Sequence, residues 1–183
     1  MNELVALLLP GGPRFVDALL AAWDAGDAVL PLDPAAPHAH TASILEHLRP
    51  TAVVESEGER RRLEGDPVEP GDALVVTTSG TTGTPKGAVH TRAGVEAAAY
   101  ATSVAAGVTA SATWLACLPL FHVGGLSVVT RALVTGVGLR VIERADPAMI
   151  DDAARQGATH VSLVPTVLGR IDPTPWHRIL LGG

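Results

Sequence analysis

The ten residues from Thr78 to Gly87 carry the densest chemistry in the chain: Thr78-Ser79-Gly80-Thr81-Thr82-Gly83-Thr84-Pro85-Lys86-Gly87. Five hydroxyls, three glycines and one lysine in that span suit an oligophosphate. Glycine lets main-chain N–H groups approach anionic oxygens, hydroxyls donate further hydrogen bonds, and lysine brings a mobile positive charge. The common phosphate loop places glycine directly before its lysine and Ser or Thr directly after it. Here Pro85 precedes Lys86 and Gly87 follows, so that chemistry is disfavoured.

Two further segments could touch a ligand. In Leu118-Pro119-Leu120-Phe121-His122-Val123-Gly124-Gly125-Leu126, an apolar run ends in a His–Gly turn and a helix follows. The other is Leu180-Leu181-Gly182-Gly183, a strand-like run with a glycine pair; such pairs are common, and this one gains weight only from its place after the first two. In open α/β sheets the carboxyl ends of strands are where ligands bind, and all three segments follow strand-like runs.

The elements that must position them alternate. Strands are read at residues 4–9, 28–32, 51–54, 73–77, 113–118, 138–142, 160–163 and 178–181. Helices are read at 13–25, 38–48, 92–106, 125–134, 147–156 and 166–171. The strand runs are continuously apolar, which argues for parallel sheets covered on both faces. The fold class is therefore α/β, with mostly parallel sheets flanked by helices. We divide the chain into a first β/α segment (1–54), a polar connection (55–72) holding Arg60-Arg61-Arg62, and a second β/α segment (73–183) with the hydroxyl-rich loop between a strand and a helix. The abrupt stop after a strand suggests a truncated domain.

Composition excludes other classes. With 47% apolar residues in 183, the chain can bury a substantial core. A net charge of −6 and 3% aromatic residues give neither a basic surface nor stacking platforms, so nucleic acid is not an expected partner. The weakly charged stretch 115–137 contains Pro119, His122 and Arg131, which argues against a membrane span. One cysteine, Cys117, cannot form an internal disulfide and lies in an apolar run, so it reads as a small buried hydrophobe in a reducing cytoplasm.

Residues Thr78 to Gly87 match, at every fixed position, the Thr-Ser-Gly-Thr-Thr-Gly-x-Pro-Lys-Gly signature of the adenylate-forming superfamily, which includes acyl-CoA synthetases, luciferases and nonribosomal peptide adenylation domains. Thr77 departs from the aromatic residue that many members carry. Residues Pro119 to Gly125 resemble the superfamily's Pro-x-Phe-His-x-x-Gly element, and Leu180 to Gly183 its adenine-binding turn. Within the superfamily, residues 119–128 together with 161–166 look like the o-succinylbenzoate-CoA ligase branch of menaquinone biosynthesis; fatty-acyl or aryl-CoA ligases and a non-catalytic nucleotide-binding module are the alternatives.

The resemblance implies part of the large N-terminal domain of an enzyme that joins a small-molecule carboxylate to ATP as an acyl-adenylate, then passes the acyl group to CoA. It implies phosphate binding by Thr78, Ser79, Gly80, Thr81, Thr82, Gly83 and Lys86, adenine packing on Gly182 and Gly183, and a substrate pocket at His122, Gly124 and Gly125. Lys86 and His122 are the implied catalytic pair, with Mg²⁺ and ATP as cofactors. The family's later elements, including its Mg²⁺-binding glutamate, ribose aspartate, hinge and carboxyl-terminal adenylation lysine, would follow Gly183, so this chain alone is expected not to turn over.

Overall fold

The computed structural model describes residues 2–55, 59–78 and 84–182. The chain divides into two compact units, Met1–Val95 and Glu96–Gly183.

The first unit runs β1 (Leu4–Leu7), α1 (Pro13–Asp24), β2 (Ala28–Pro31), α2 (His38–Leu48), β3 (Ala52–Val54), β4 (Arg60–Arg62), β5 (Asp72–Thr78) and β6 (Lys86–Thr91). Its strands form one sheet in the order β4-β3-β1-β2-β5-β6. The inner four are parallel, and β4 and β6 pair antiparallel at the edges. Every residue of β1 and β2 is buried, which is why these strands read as unbroken apolar runs. Ile44 of α2, with Leu45 and Leu48 beside it, packs on Leu4, Ala6, Leu30, Val53 and Val75. α1 contributes nothing to that cluster; it packs on β1 and β2 with Phe15 and Leu19, both fully buried and each worth about 1.5–3 kcal/mol of transfer free energy. Pro13 opens α1, and Gly26, at φ +81°, turns the chain back into β2.

Both edges differ from the sequence reading. The stretch read as a solvated connection contains β4, whose three arginines are exposed. Arg60 bonds Glu3 and, at 3.1 Å, the buried carboxylate of Asp27, which also accepts the Glu3 main-chain N–H at 2.8 Å. Burial pulls the Arg60 pKa down, but the bonds from Asp27 and Glu3 outweigh it and leave the group above its ordinary value. Arg62 reaches Glu3 at 3.0 Å. Charges spent this way protect a sheet edge from foreign strands, and they hid the strand behind a polar composition. At the other edge, the loop expected between a strand and a helix instead joins β5 to a further strand, β6, before the helix begins at Arg92 as read.

In the second unit the elements are α3 (Arg92–Ala105, in which the division falls), β7 (Thr113–Ala116), α4 (Val123–Thr135), β8 (Gly138–Val141), α5 (Pro147–Arg155), β9 (His160–Leu163), the short α6 (Pro165–Leu168) and β10 (Arg178–Leu181). The sheet is parallel throughout, in the order β10-β9-β7-β8. Ile150, Ala153 and Ala154 of α5 pack with Trp176 on Leu115, Cys117, Val161 and Leu163. α4 packs on β7, β8 and β9 and buries Leu126, Val128, Val129 and Ala132. Asp146 caps α5, its carboxylate accepting the Met149 N–H at 3.1 Å, and Pro147 follows in the first turn. The α/β fold class is as the sequence indicated. Cys117 is buried, as read; its Sγ lies 3.7 Å from the Ser162 carbonyl, and burial pushes the thiol up to about 12. Among the described residues no helix is long and apolar enough to cross a membrane.

Candidate functional site

The hydroxyl-rich loop closes the β5–β6 hairpin. Thr78, the last residue of β5, pairs with Lys86, the first of β6, and the Thr78 hydroxyl donates to the Lys86 carbonyl at 3.4 Å. Ser79, Gly80, Thr81, Thr82 and Gly83 lie outside the described residues. Side chains alternate along a strand. Val75 faces α2, so Leu74, Val76 and Thr78 face the other way, and Lys86, opposite Thr78, shares that face. Both are exposed at the loop end of the hairpin. Gly87 points beneath α2, where an added Cβ would sit 3.3 Å from Leu48 and press on Val75. Lys86 is thus held by a glycine packed on one face while its own side chain projects from the other.

The other predicted residues belong to the second unit. His122 occupies the N-cap of α4 in an extended conformation (φ −104°, ψ 147°), and its side chain does not cap the helix. The main chain fixes its position: its N–H donates to Pro119 O at 3.2 Å, and its carbonyl accepts from Leu126 N at 2.9 Å. The imidazole is exposed and leans on Phe121, with ring centroids 4.5 Å apart. Gly124 is exposed with ordinary room for a side chain. Gly125 is buried, and an added Cβ would run into the carbonyls of Leu118 and Pro119. The two glycines therefore differ: Gly125 lets the first turn of α4 seat on the incoming loop, and Gly124 is exposed on the other side of the turn. Gly182 follows β10, its N–H donating to Leu163 O at 3.1 Å; Gly183 lies outside the described residues. His122 and Gly182 both follow carboxyl ends of parallel strands in one sheet, where open α/β sheets place their ligand sites.

The sequence reading used Arg131 only as an argument against a membrane span. It lies on α4, stacks on Trp114 with its guanidinium carbon 5.2 Å from the ring centre, and donates from Nε to Thr102 Oγ1 at 3.0 Å. Its Nη1 is buried with no partner among the described residues, and burial lowers its pKa. The available signal was a lone charge on an otherwise apolar helix. No cluster of His, Cys, Asp or Glu among the described residues could hold a metal ion.

The chain belongs to the AMP-binding enzyme family, whose sequence model matches residues 55–178. Over 100 residues it is 38% identical to 2-succinylbenzoate–CoA ligase of Enterococcus faecalis, covering 54% of this chain and 21% of that one. It is 34% identical over 180 residues to a probable non-canonical nonribosomal peptide synthetase, CymA, of Salinispora arenicola, covering 93% of this chain and 2% of that one. The fold is that of o-succinylbenzoate coenzyme A synthetase from Bacillus subtilis, solved with AMP: TM-score 0.83 at 23% identity, over 99% of this chain and 55% of that one. The same synthetase is also solved with ATP and magnesium ion. This chain spans about half the solved synthetase, and its match takes in about a fifth of the curated ligase.

Proposed function

We propose that the chain supplies the phosphate-binding hairpin and part of the acyl pocket of an ATP-dependent acid–thiol ligase, with o-succinylbenzoate as the carboxylate and CoA as the acceptor thiol. The observation that carries the reading is the hairpin end, where Thr78 and Lys86 stand opposite each other at the two ends of the Thr-Ser-Gly-Thr-Thr-Gly-Thr-Pro-Lys signature. The 2-succinylbenzoate–CoA ligase relative of Enterococcus faecalis supports the choice of acid.

The reaction joins the carboxylate to the α-phosphorus of ATP and expels pyrophosphate; the CoA thiol then displaces AMP. Thr78, Ser79, Gly80, Thr81, Thr82 and Gly83 donate hydrogen bonds to the phosphate oxygens. The Lys86 ammonium meets the charge that grows on the leaving pyrophosphate, where prearranged donors act most strongly. Mg²⁺, bound with the triphosphate, supplies further charge neutralisation. Gly182 and Gly183 are assigned to the adenine, and His122 beside open Gly124 orients the acid. A reducing cytoplasm suits the buried thiol.

Calorimetric titration with Mg·ATP tests the nucleotide site: saturable binding is expected, and its absence overturns the hairpin assignment. Pyrophosphate release from a polypeptide that includes this chain, measured with o-succinylbenzoate, a fatty acid and benzoate in parallel, tests the acid. Preference for either of the latter two favours the fatty-acyl or aryl-CoA reading, and CymA keeps a peptide-synthetase adenylation domain as the second reading.

A further inference from the structure

The amino end of β9 holds a histidine in an unusual state. His160 is 1% exposed, with Trp114 5.0 Å from its ring and His177 meeting it edge-on at 5.4 Å. Its Nδ1 lies 2.8 Å from Thr159 Oγ1. That hydroxyl has one proton, which it donates to Thr113 O at 3.2 Å while accepting the Thr113 N–H at 2.9 Å. With the hydroxyl so engaged, the neutral imidazole can hold its proton on Nδ1, toward Thr159. The other nitrogen, Nε2, is buried and without a hydrogen-bond partner among the described residues.

A proton on Nε2 would make a buried cation with poor surroundings. From β7 it meets the Trp114 ring, which already carries the Arg131 guanidinium of α4. From β10 and the residue before it come Arg178, paired in register with His160, and His177. The Ala106 carbonyl beyond α3 favours the charged form, and it also accepts from Arg178 Nε at 3.1 Å. None of these facing groups is a carboxylate. We propose that His160 is an acid-triggered release for the second unit: a proton taken from solvent at Nε2 parts β9 from β10 at their amino ends.

Burial, then the positive forms of His177 and Arg178, hold His160 below its ordinary value. The unfolded chain takes up the proton near pH 6.5 and the folded chain only at lower pH. Stability from this group is therefore complete above about pH 6.5 and declines as pH falls below it, with the folding constant dropping about tenfold per pH unit until the folded form also protonates. The test is urea unfolding of the wild-type chain and His160→Asn between pH 7.5 and 4.5; the asparagine keeps a donor toward Thr159 and cannot titrate. The variant should lose one proton's worth of slope below pH 6.5. The protection factor of the Arg178 amide, which donates to Thr159 O at 3.1 Å, should fall with acid in wild type alone. Parallel curves for the two proteins overturn the proposal. So does ¹⁵N NMR of the wild-type histidines if His160 carries its neutral-form proton on Nε2, or titrates at or above 6.5, a readout that stands even if the variant fails to fold.

Discussion

Replacing Gly125 by alanine probes the seating of α4, and replacing Gly124 next to it provides the control. Both sit in the first turn, where alanine is the better helix former, so each exchange carries an intrinsic gain of about 0.5–1 kcal/mol. At Gly124 the new methyl lies in ordinary contact, 3.6 Å from Leu118 Cδ1, so the gain stands. At Gly125 it collides with two main-chain carbonyls, Leu118 and Pro119, which cannot swing aside as a flexible side chain would. Overpacking of this kind costs about 1–3 kcal/mol, more than the propensity gain returns. For a chain of this size, 1 kcal/mol moves Tm by about 2–4 °C. Gly124→Ala should therefore melt a few degrees above wild type and Gly125→Ala a few degrees below, read by calorimetry or by the urea midpoint at unchanged m. Because the same shift moves the His122 main chain, Gly125→Ala should also weaken binding of the acid more than of Mg·ATP. A Gly125→Ala protein at least as stable as wild type would refute the reasoning, since α4 would then not depend on that close approach.

Lys86→Ala should leave Tm within about 1 °C, the side chain being exposed, while weakening Mg·ATP about 10- to 150-fold, the loss of one charge-assisted hydrogen bond of about 1.5–3 kcal/mol; unchanged affinity in calorimetry would remove its role. In a polypeptide that includes this chain and carries out the proposed reaction, the same change should slow adenylation more than thioester formation, and equal slowing in a rapid-quench assay would contradict that division. Cys117, with its thiol pushed up to about 12, should react with a maleimide at pH 7 only as fast as the second unit opens; labelling at the rate of a free thiol would contradict its burial. Arg131→Met should raise Tm, because methionine keeps contact with Trp114 and removes a guanidinium whose Nη1 is buried without a partner among the described residues; a fall in Tm would show that the Thr102 hydrogen bond and the ring stack outweigh the desolvation.

The inner strands were legible because burial on both faces leaves a physical trace: residues 4–7 and 28–31 contain nothing but apolar side chains and a proline. α1, with proline at its start and glycine just past its end, was equally plain. The edge strands left no such trace. Arg60-Arg61-Arg62 reads as a solvated run because an edge strand turns its charges outward, and its partners Glu3 and Asp27 are distant in sequence. Lys86-Gly87-Ala88-Val89-His90-Thr91 is half polar for the same reason, so the strand that completes the hairpin was folded into the loop before the helix. The site was legible as a set of residue types and illegible as geometry. Periodicity groups Gly124 with Gly125 and cannot reveal that only the second meets two carbonyls, nor that Arg131 turns inward while His122, on the same element's N-cap, turns out.

Because Lys86 is the opening rung of an antiparallel ladder, its distance along the chain from Thr78 matters as much as its charge. Sliding β6 by one rung would turn the ammonium toward Leu48 and bring Gly87 to the open side. Evolution can therefore exchange small hydroxyl-bearing residues within the loop more freely than it can lengthen or shorten it by one, and a catalogue of natural variants should show spelling changes there with an almost constant count.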